Sequence, residues 1–152
     1  MAIIDPLEAI LLLCLANAPM TAIVSGRVAS KHRFSATDAV ARSSYVPWPT
    51  PAKALTIAFD TGGTPDTYTE NQLLRLMASC WGEDQAEAGK VYGALVSITR
   101  SSDRSVVATS NGNALIYWVT MDGTPQFERD PDVQVDVLRV PLSVFVAEHA
   151  VP

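Results

Sequence analysis

A change of periodicity decides the fold, and it lies in residues 73–100, LLRLMASCWGEDQAEAGKVYGALVSITR. Side chains alternate in polarity up to Trp81, which is typical of a strand with one buried face, and we predict a strand over 68–81. Gly82 ends that strand, and the acidic pair Glu83 and Asp84 suits the positive end of a helix dipole. Apolar residues then recur every three or four positions, so a helix is predicted over 83–100.

The N-terminal region predicts a second helix, over residues 5–17. Asp5 is placed as its N-cap and Pro6 in its first turn, because both suit the free backbone N–H groups there. The apolar run 10–15 resembles a signal peptide, but no Lys or Arg precedes it and the run is short. It is also far shorter than the ~20 apolar residues of a membrane span. We therefore expect a buried amphipathic helix that ends at Pro19.

Further strands are indicated on both sides of these helices. Segments 23–29, 54–59 and 114–121 are rich in β-prone residues or alternate in polarity. A last strand or pair is predicted over 133–146, where Pro141 is expected to mark an edge or a bulge. The order α-β-β-β-α-β-β predicts an α+β fold, a single domain over 1–152. Its sheet is expected to be mostly antiparallel, with two main helices packed on one face.

Residues 35–51 interrupt this order with a long loop or arm. Its alternating prolines cannot donate to a strand ladder, and they favour an extended path. Long loops in compact domains are usually functional or held by a neighbour. Tyr45 and Trp48 are therefore candidate anchors in a partner surface, unless they fold back onto their own domain.

The overall composition is that of a chain with enough hydrophobic residues for a core and too few basic residues to bind polyanions. The 152 residues are 48% hydrophobic, which is enough for a sizeable core. Lys and Arg number 11 against 16 Asp and Glu, a net charge of −5. Sequence-independent binding of DNA or RNA needs a basic excess, so that function class is excluded. Only 18% of the residues are charged, against about 25% in an average soluble domain, which indicates that a partner covers part of the surface.

No sequence pattern predicts a metal, cofactor or nucleophilic site. Cys14 and Cys80 stand alone in apolar stretches, so we expect two buried small hydrophobic residues in a reduced, cytosolic chain. His32 and His149 belong to no Ser-His-Asp or Cys-His arrangement. We expect no cofactor, no metal site and no enzymatic activity.

One short motif suggests a different chemistry. Residues 58–64, AFDTGGT, look like the Asp-Thr-Gly signature of aspartic proteases. That chemistry needs two carboxylates about 3 Å apart that share one proton, so each Asp60 would have to meet its twin in a dimer. A turn after a strand also favours Asp and Gly for backbone reasons alone, and the supporting downstream segment of the family is missing.

The order and spacing of the elements form a pattern along nearly the whole chain. A short helix leads to Gly26-Arg27-Val28 and a long loop, and a strand over 51–59 then ends in an Asp-x-Gly turn. A strand runs straight into a helix over 73–98, and two closing strands over 127–146 carry an acidic-Pro turn between them. This arrangement resembles the tail terminator, or tail-completion, proteins of long-tailed bacteriophages.

The resemblance implies a structural virion protein of the tail or neck, present in the host cytoplasm during assembly. It implies a six-membered ring that caps the tail tube, stops its polymerisation and joins the tail to the head connector. The expected partners are other copies of the chain, the tail tube protein and the head–tail connector proteins, with no membrane. DNA would slide through the lumen without specific binding, so we expect Asp and Glu to outnumber Lys and Arg on the inner wall. The candidate oligomer or partner contacts are Tyr45, Trp48 and Phe127.

Two alternatives stay open. Another phage neck or connector component could have a similar small α+β fold, and a dimeric aspartic-protease-like hydrolase could use Asp60. The size of the oligomer separates the ring from the dimer. Position within the virion separates the terminator from its neighbours.

Overall fold

The computed structural model describes residues 5–30, 53–60, 71–110, 112–130 and 135–148, and the predicted arm at 35–51 lies outside them. Within the described residues the helices are α1 (Pro6–Ala16), α2 (Ala18–Val24) and α3 (Gln85–Ser101). The strands are β1 (Val28–Ala29), β2 (Ala54–Phe59), β3 (Asn71–Gly82), β4 (Ser105–Thr109), β5 (Gly112–Met121), β6 (Gln126–Asp130) and β7 (Val135–Glu148).

The described strands form one sheet, in the order β1-β2-β3-β7-β5-β4, and β6 also pairs with β7. β1 and β2 are parallel, and the other pairs are antiparallel. The long strands β3 and β7 form the centre, paired from Asn71 with Ala147 to Gly82 with Asp136. The predicted α+β class with a mostly antiparallel sheet is confirmed.

Side-chain alternation gives the sheet two faces with different surroundings. The inner face packs against the helices, and its core positions include Leu55, Ile57, Leu76, Ala78, Cys80, Leu138, Val140, Leu142 and Val144. Successive strand residues point to opposite sides. The outer face therefore carries Thr56, Ser79, Trp81, Val137 and Phe145.

The three described helices pack on the inner face. α3 contacts β3, β7 and β5, and α2 packs against α3. α1 contacts β1 and β2 near one edge of the sheet, and it contacts β4 and β5 near the opposite edge. Those strands lie at opposite ends of the strand order, so the sheet curls around the helices.

The N-terminal region differs from the prediction, because Pro19 does not end the helical segment. α1 ends at Ala16, and α2 starts at Ala18 after a bend of 84°. The side chain of Asn17 caps α2 by accepting the N–H of Met20 at 3.0 Å. Pro19 fits the first turn of α2, since the N–H that it lacks would have no helical partner there.

The strand predicted over 23–29 is also wrong in its first half. Ile23 and Val24 belong to α2, which ends where Ser25 and Gly26 adopt positive φ angles of 53° and 78°. Only Val28 and Ala29 pair with β2. A left-handed turn thus separates helix from strand inside a stretch of β-prone residues.

The C-terminal half contains more strand than the prediction gave. The polar residues 101–110, for which no strand was expected, include β4, which forms a hairpin with β5. The alternation of polar and apolar residues in β4 is weak, because this strand lies at the edge of the described sheet and has mostly small or polar side chains. α3 covers 85–101 and the long strand before it ends at Gly82, close to their predicted positions.

Pro141 does not interrupt the strand β7, and it lies at a local edge where neither β5 nor β6 pairs with β7. Its carbonyl oxygen accepts the N–H of Asp122 at 2.9 Å. A strand residue directs its N and its C=O to the same side, so the missing N–H of Pro141 faces the connection between β5 and β6. β5 pairs with β7 from Leu142 onward, and β6 pairs from Arg139 backward. The proline therefore removes no ladder hydrogen bond.

Candidate assembly interface

The outer face carries an aromatic cluster of Tyr117, Trp118 and Phe145. The pairing of β5 with β7 shifts between Ile116 and Trp118, which leaves Tyr117 as an extra residue. This bulge brings two successive aromatic rings to Phe145, with centroid distances of 5.2 Å for Tyr117 and 5.9 Å for Trp118. All three rings are half-buried. They form an apolar region that a neighbouring molecule can contact.

The other end of the outer face is buried. Ala54, Trp81, Val135 and Val137 form a small second core, each at most 3% exposed. The indole Nε1 of Trp81 donates to Thr56 Oγ1 at 2.9 Å within this region. The outer face thus has a closed end near Trp81 and a more open end near Phe145.

Large apolar side chains also reach the surface outside the aromatic cluster. They are Leu15, Phe59, Leu73, Val106 and Phe127, exposed by 38% to 57%. Phe127 lies on β6 and pairs with Leu138. β6 is held to β7 by two exposed ion pairs, Arg129 with Asp136 at 3.0 Å and Arg139 with Glu128 at 3.3 Å. The role of Phe127 as an interface residue stays a prediction.

A groove of about 420 Å³ lies between α1 and β1. Its apolar lining consists of Leu7, Leu11, Leu12, Leu15, Val28 and Ala29, together with Asp5, Glu8 and Ser30. α1 carries one charged residue, Glu8, and is apolar on nearly all sides. Its buried side is formed by Pro6, Ala9, Ile10 and Cys14, so the leucines of the groove remain partly exposed.

Side-chain hydrogen bonds cap α1 and link it to the β4–β5 hairpin. Asp5 Oδ1 accepts the N–H of Leu7 at 2.9 Å and caps the helix. The carboxylate of Glu8 accepts the backbone N–H and the hydroxyl of Ser110, each at 2.8 Å. Ser110 follows β4, so Glu8 ties α1 to the tip of the β4–β5 hairpin.

The described part of the chain includes Asp60 of the protease-like motif and contains no cluster suited to a metal ion. Asp60 is exposed after β2, where its backbone N–H donates to the carbonyl of Arg75 at 3.1 Å. Residues 61–64 of its motif lie outside the described residues, as do His32 and His149. No group of three or more described His, Cys, Asp or Glu side chains could hold a metal ion.

The two cysteines are buried and free, as the sequence predicted. Burial raises the pKa of the Cys14 thiol to about 12. Burial, and to a smaller degree the neighbouring Cys14, raises the pKa of Cys80. The thiolate is the reactive form, so both thiols are inert core residues in this fold.

Among the described helices, one bent pair has the length and composition of a membrane span. No single described helix is long and apolar enough to cross a bilayer, whereas α1 and α2 together reach that length and composition but are bent by 84°. In this structure both helices pack on the sheet or on α3.

Two of the three interface residues predicted from the sequence, Tyr45 and Trp48, lie outside the described residues. The aromatic cluster and the α1–β1 groove were not predicted. The cluster depends on a bulge that leaves no mark in the sequence pattern. The groove had a signal, since α1 has no polar side, but the helix was predicted to be buried and amphipathic, which the partly exposed leucines correct.

Comparison with known proteins identifies a shared fold. No protein-family model and no curated protein sequence matches the chain. Among solved structures, it is similar to a chain in the virion of a native gene transfer agent particle, with a TM-score of 0.55 and 12% sequence identity. That match covers 87% of this chain and 87% of the other. At this identity the likeness concerns the fold.

Proposed function

We propose that this protein is a structural subunit of a virion and not an enzyme. The observation that carries the proposal is the shared fold with a chain of a gene transfer agent virion, which extends over 87% of both chains. The sequence resemblance to tail terminator proteins supports the same role from the order of elements. The sparse charge and the exposed apolar side chains fit a subunit that other subunits cover.

The finer proposal is a ring, six-membered, at the end of the tail tube. One face of the ring matches the last layer of the tube, and the other offers no site for a further tube subunit. Polymerisation therefore stops, and that second face joins the head connector. Such a ring needs head-to-tail contacts between different surfaces of neighbouring copies, because only these close around an axis of more than two subunits.

The net charge of −5 fits a channel through which DNA passes. A wall that bound phosphates would hold the DNA in place. We expect Asp and Glu to outnumber Lys and Arg on the inner wall of the ring, in a virion tail or neck that is put together in the host cytoplasm. A map with a ring of arginines around the hole would contradict this expectation.

Native mass measurement of the purified protein, over a range of concentrations, tests the ring. Six copies are expected, and a species that remains monomeric at high concentration would contradict the proposal. Electron microscopy of the assembled particle then locates the protein. Density at the junction of tail tube and connector supports the terminator role, whereas density elsewhere in the neck supports the second candidate, another connector component with the same fold.

The hydrolase alternative is tested by Asp60→Asn. The structural role predicts that this variant assembles like the wild type and that neither protein cleaves peptides. A dimeric wild type with peptidase activity that Asp60→Asn abolishes would support the hydrolase instead. Asp60→Ala serves as a second variant, since it removes the carboxylate and its hydrogen bonding together.

A further inference from the structure

The edge strand β4 has an open side that lacks the usual protection. Among the described strands it pairs with β5 alone. Its sequence, SVVAT, has no charged residue and no proline, and its five residues pair with β5 in unbroken register. Natural sheets protect such edges with charges, prolines, bulges or very short strands, because the free backbone groups otherwise pair with another chain.

The other two edge strands of the described sheet, β1 and β6, have such protection. β1 has only two residues. β6 carries charges at three of its five positions, and its Glu128 and Arg129 form exposed ion pairs with β7. The contrast makes β4 the edge that is best suited to receive a further strand.

The hairpin determines which backbone groups of β4 face its open side. Thr109 pairs with Gly112 across a loop of two residues, and the closing pair of such a hairpin is hydrogen-bonded. Hydrogen-bonded and non-hydrogen-bonded pairs alternate along an antiparallel ladder. Val107 and Thr109 therefore direct their N–H and C=O groups to β5. Val106 and Ala108 direct theirs to the open side.

The same two residues are exposed on the outer face. The side chain of Val106 is 52% exposed, and Ala108 is exposed beside it, whereas Val107 packs against the core on the inner face. Val106 pairs with Leu115 of β5, so the apolar part of the outer face continues to the edge. A strand added beside β4 would bind the open backbone groups and cover the exposed valine.

A second copy of β4, running antiparallel, is complementary to this edge. A two-fold axis through Val107 pairs Val106 of each copy with Ala108 of the other. Each of these pairs exchanges two N–H···O=C bonds, so the contact contains four backbone hydrogen bonds. The two strands match in length because they are identical.

Charge at the ends of β4 favours the antiparallel direction. The two-fold axis places Arg104 opposite Ser110 of the second copy, and Asp103 lies one position farther out. The carboxylate of Glu8 accepts the N–H and the hydroxyl of Ser110, each at 2.8 Å. Arg104 is exposed and forms no ion pair with any described side chain. Antiparallel pairing therefore brings a guanidinium to a carboxylate at both ends, whereas parallel pairing would bring like charges together.

We infer that β4 pairs with β4 of a second copy, antiparallel around Val107, and that free subunits form a two-fold dimer through this contact. The inference goes beyond the proposed ring, because identical surfaces related by a two-fold axis join two copies and no more. The dimer is expected at concentrations below those at which the ring forms. It leaves β4 with no open side, so a subunit outside the virion is protected from further strand pairing.

Disulfide cross-linking tests the pairing and its register. The native thiols are buried, so mild oxidation reports on introduced cysteines. In the dimer the two copies of Val107 form a non-hydrogen-bonded pair with Cα atoms about 4.5 Å apart, which suits a disulfide. The two copies of Val106 are offset by two positions, with Cα atoms about 8 Å apart, which is too far for a disulfide.

Val107→Cys is therefore expected to give a covalent dimer in high yield. Val106→Cys is the matched control, and it should give little dimer although its site is more exposed. Random collisions would favour the more exposed site. Absence of a Val107→Cys dimer, or an equal or greater yield from Val106→Cys, would overturn the inference.

The variant Ala108→Pro tests the backbone hydrogen bonds. The N–H that it removes faces the open side, so pairing with β5 is kept. We expect the concentration at which the dimer dissociates to rise at least tenfold, as measured by sedimentation over a range of concentrations. Ala108→Thr keeps the N–H and should dissociate at the wild-type concentration. An Ala108→Pro dimer as tight as the wild type would overturn the inference.

A second variant keeps the test valid if circular dichroism shows that Ala108→Pro does not fold. Arg104→Ser removes the charge beyond the end of β4, and it should weaken the dimer severalfold at low salt and less at high salt. A dimer that Arg104→Ser does not weaken at low salt would contradict the antiparallel arrangement.

These outcomes are distinct from those that test the ring. A wild-type ring without a Val107→Cys dimer and unaffected by Ala108→Pro would overturn the contact and leave the ring intact. A wild type that stops at a dimer, which Ala108→Pro converts to monomer, would support the contact and overturn the ring. Oligomers that Ala108→Pro weakens without any Val107→Cys dimer would assign the edge to a different strand and overturn the two-fold pairing.

Discussion

α1 and α3 are both helices on the inner face of the sheet, but they differ in how much of their apolar surface is buried. α3 buries one stripe, formed by Ala88, Val91, Ala94, Leu95 and Ile98, and it turns polar residues such as Lys90 and Arg100 to solvent. α1 buries one side and leaves leucines partly exposed on the other. α3 therefore buries most of its apolar surface within one chain, whereas α1 leaves much of its apolar surface partly exposed.

The two helices also differ in how charge is used. The carboxylate of Asp84 caps α3 by accepting the N–H of Glu87 at 2.9 Å. Glu87 accepts from Lys90 at 3.0 Å and pairs with Lys53 at 3.1 Å, and these hydrogen bonds hold the pKa of its carboxyl below the ordinary value. In α1 the charged residue Glu8 bonds Ser110 instead. An ion pair thus links α3 to Lys53, which precedes β2, and hydrogen bonds link α1 to the tip of the β4–β5 hairpin.

The largest effect is expected from truncating the buried stripe of α3. Leu95 is 1% exposed, so Leu95→Ala should lower the free energy of unfolding by about 3 kcal/mol through lost burial and a cavity. Leu15→Ala in α1 is the matched change at a 38% exposed site and should alter it by less than about 0.5 kcal/mol. Urea unfolding of the monomer measures both. Equal losses would contradict the contrast between the helices.

The next effect concerns glycines beside and within α3. A Cβ on Gly82 would lie 2.8 Å from both the Cβ and the carbonyl carbon of Glu87, and closer still to the backbone N of Ala88. Gly82→Ala should therefore cost about 2 kcal/mol of stability. A Cβ on Gly89 meets nothing within 4 Å, so Gly89→Ala should add about 0.5–1 kcal/mol. Thermal unfolding distinguishes them, and shifts of the same sign would show that the strand–helix junction is not tight.

A smaller effect is expected where α1 meets the β4–β5 hairpin. Glu8→Gln replaces one of the two acceptor oxygens that bind Ser110, so the free energy of unfolding should fall by less than about 1 kcal/mol. Amide hydrogen exchange at Ser110 should accelerate by more than the loss of global stability accounts for. Unchanged exchange at this amide would show that α1 is held by apolar packing alone.

The smallest effect is the pH dependence of the Glu87 cluster. Because the pKa of folded Glu87 lies below its ordinary value of 4.5, its ion pairs contribute stability above that pH. The contribution is lost as pH falls through the pKa of the folded state. Glu87→Gln should therefore be less stable than the wild type at pH 7, and the difference should shrink as the pH is lowered below 4.5 or as salt is added. A difference that depends on neither pH nor salt would point to packing instead.

The central unit of the fold was predictable because its signals are local and strong. The change of period at Gly82, the acidic cap and the 3.6-residue spacing of α3 all point the same way. The elements outside this central unit were harder to predict. β4 is short and lies in a stretch of mostly polar residues, and Ile23 and Val24 have strand propensity but lie in a helix. Pro141 is tolerated within β7 because the strand that pairs with β7 changes there from β5 to β6.

The sequence by itself determined the α+β class, the strand–helix centre, the two buried cysteines and the net charge of −5. These depend on composition and on periodicity along the chain. Tertiary structure decided where the apolar surface remains. The curl of the sheet around α1, the bulge at Tyr117 and the groove beside β1 arise from contacts between residues far apart in sequence. No local sequence pattern predicts such contacts, because the register between strands determines which distant residues come together.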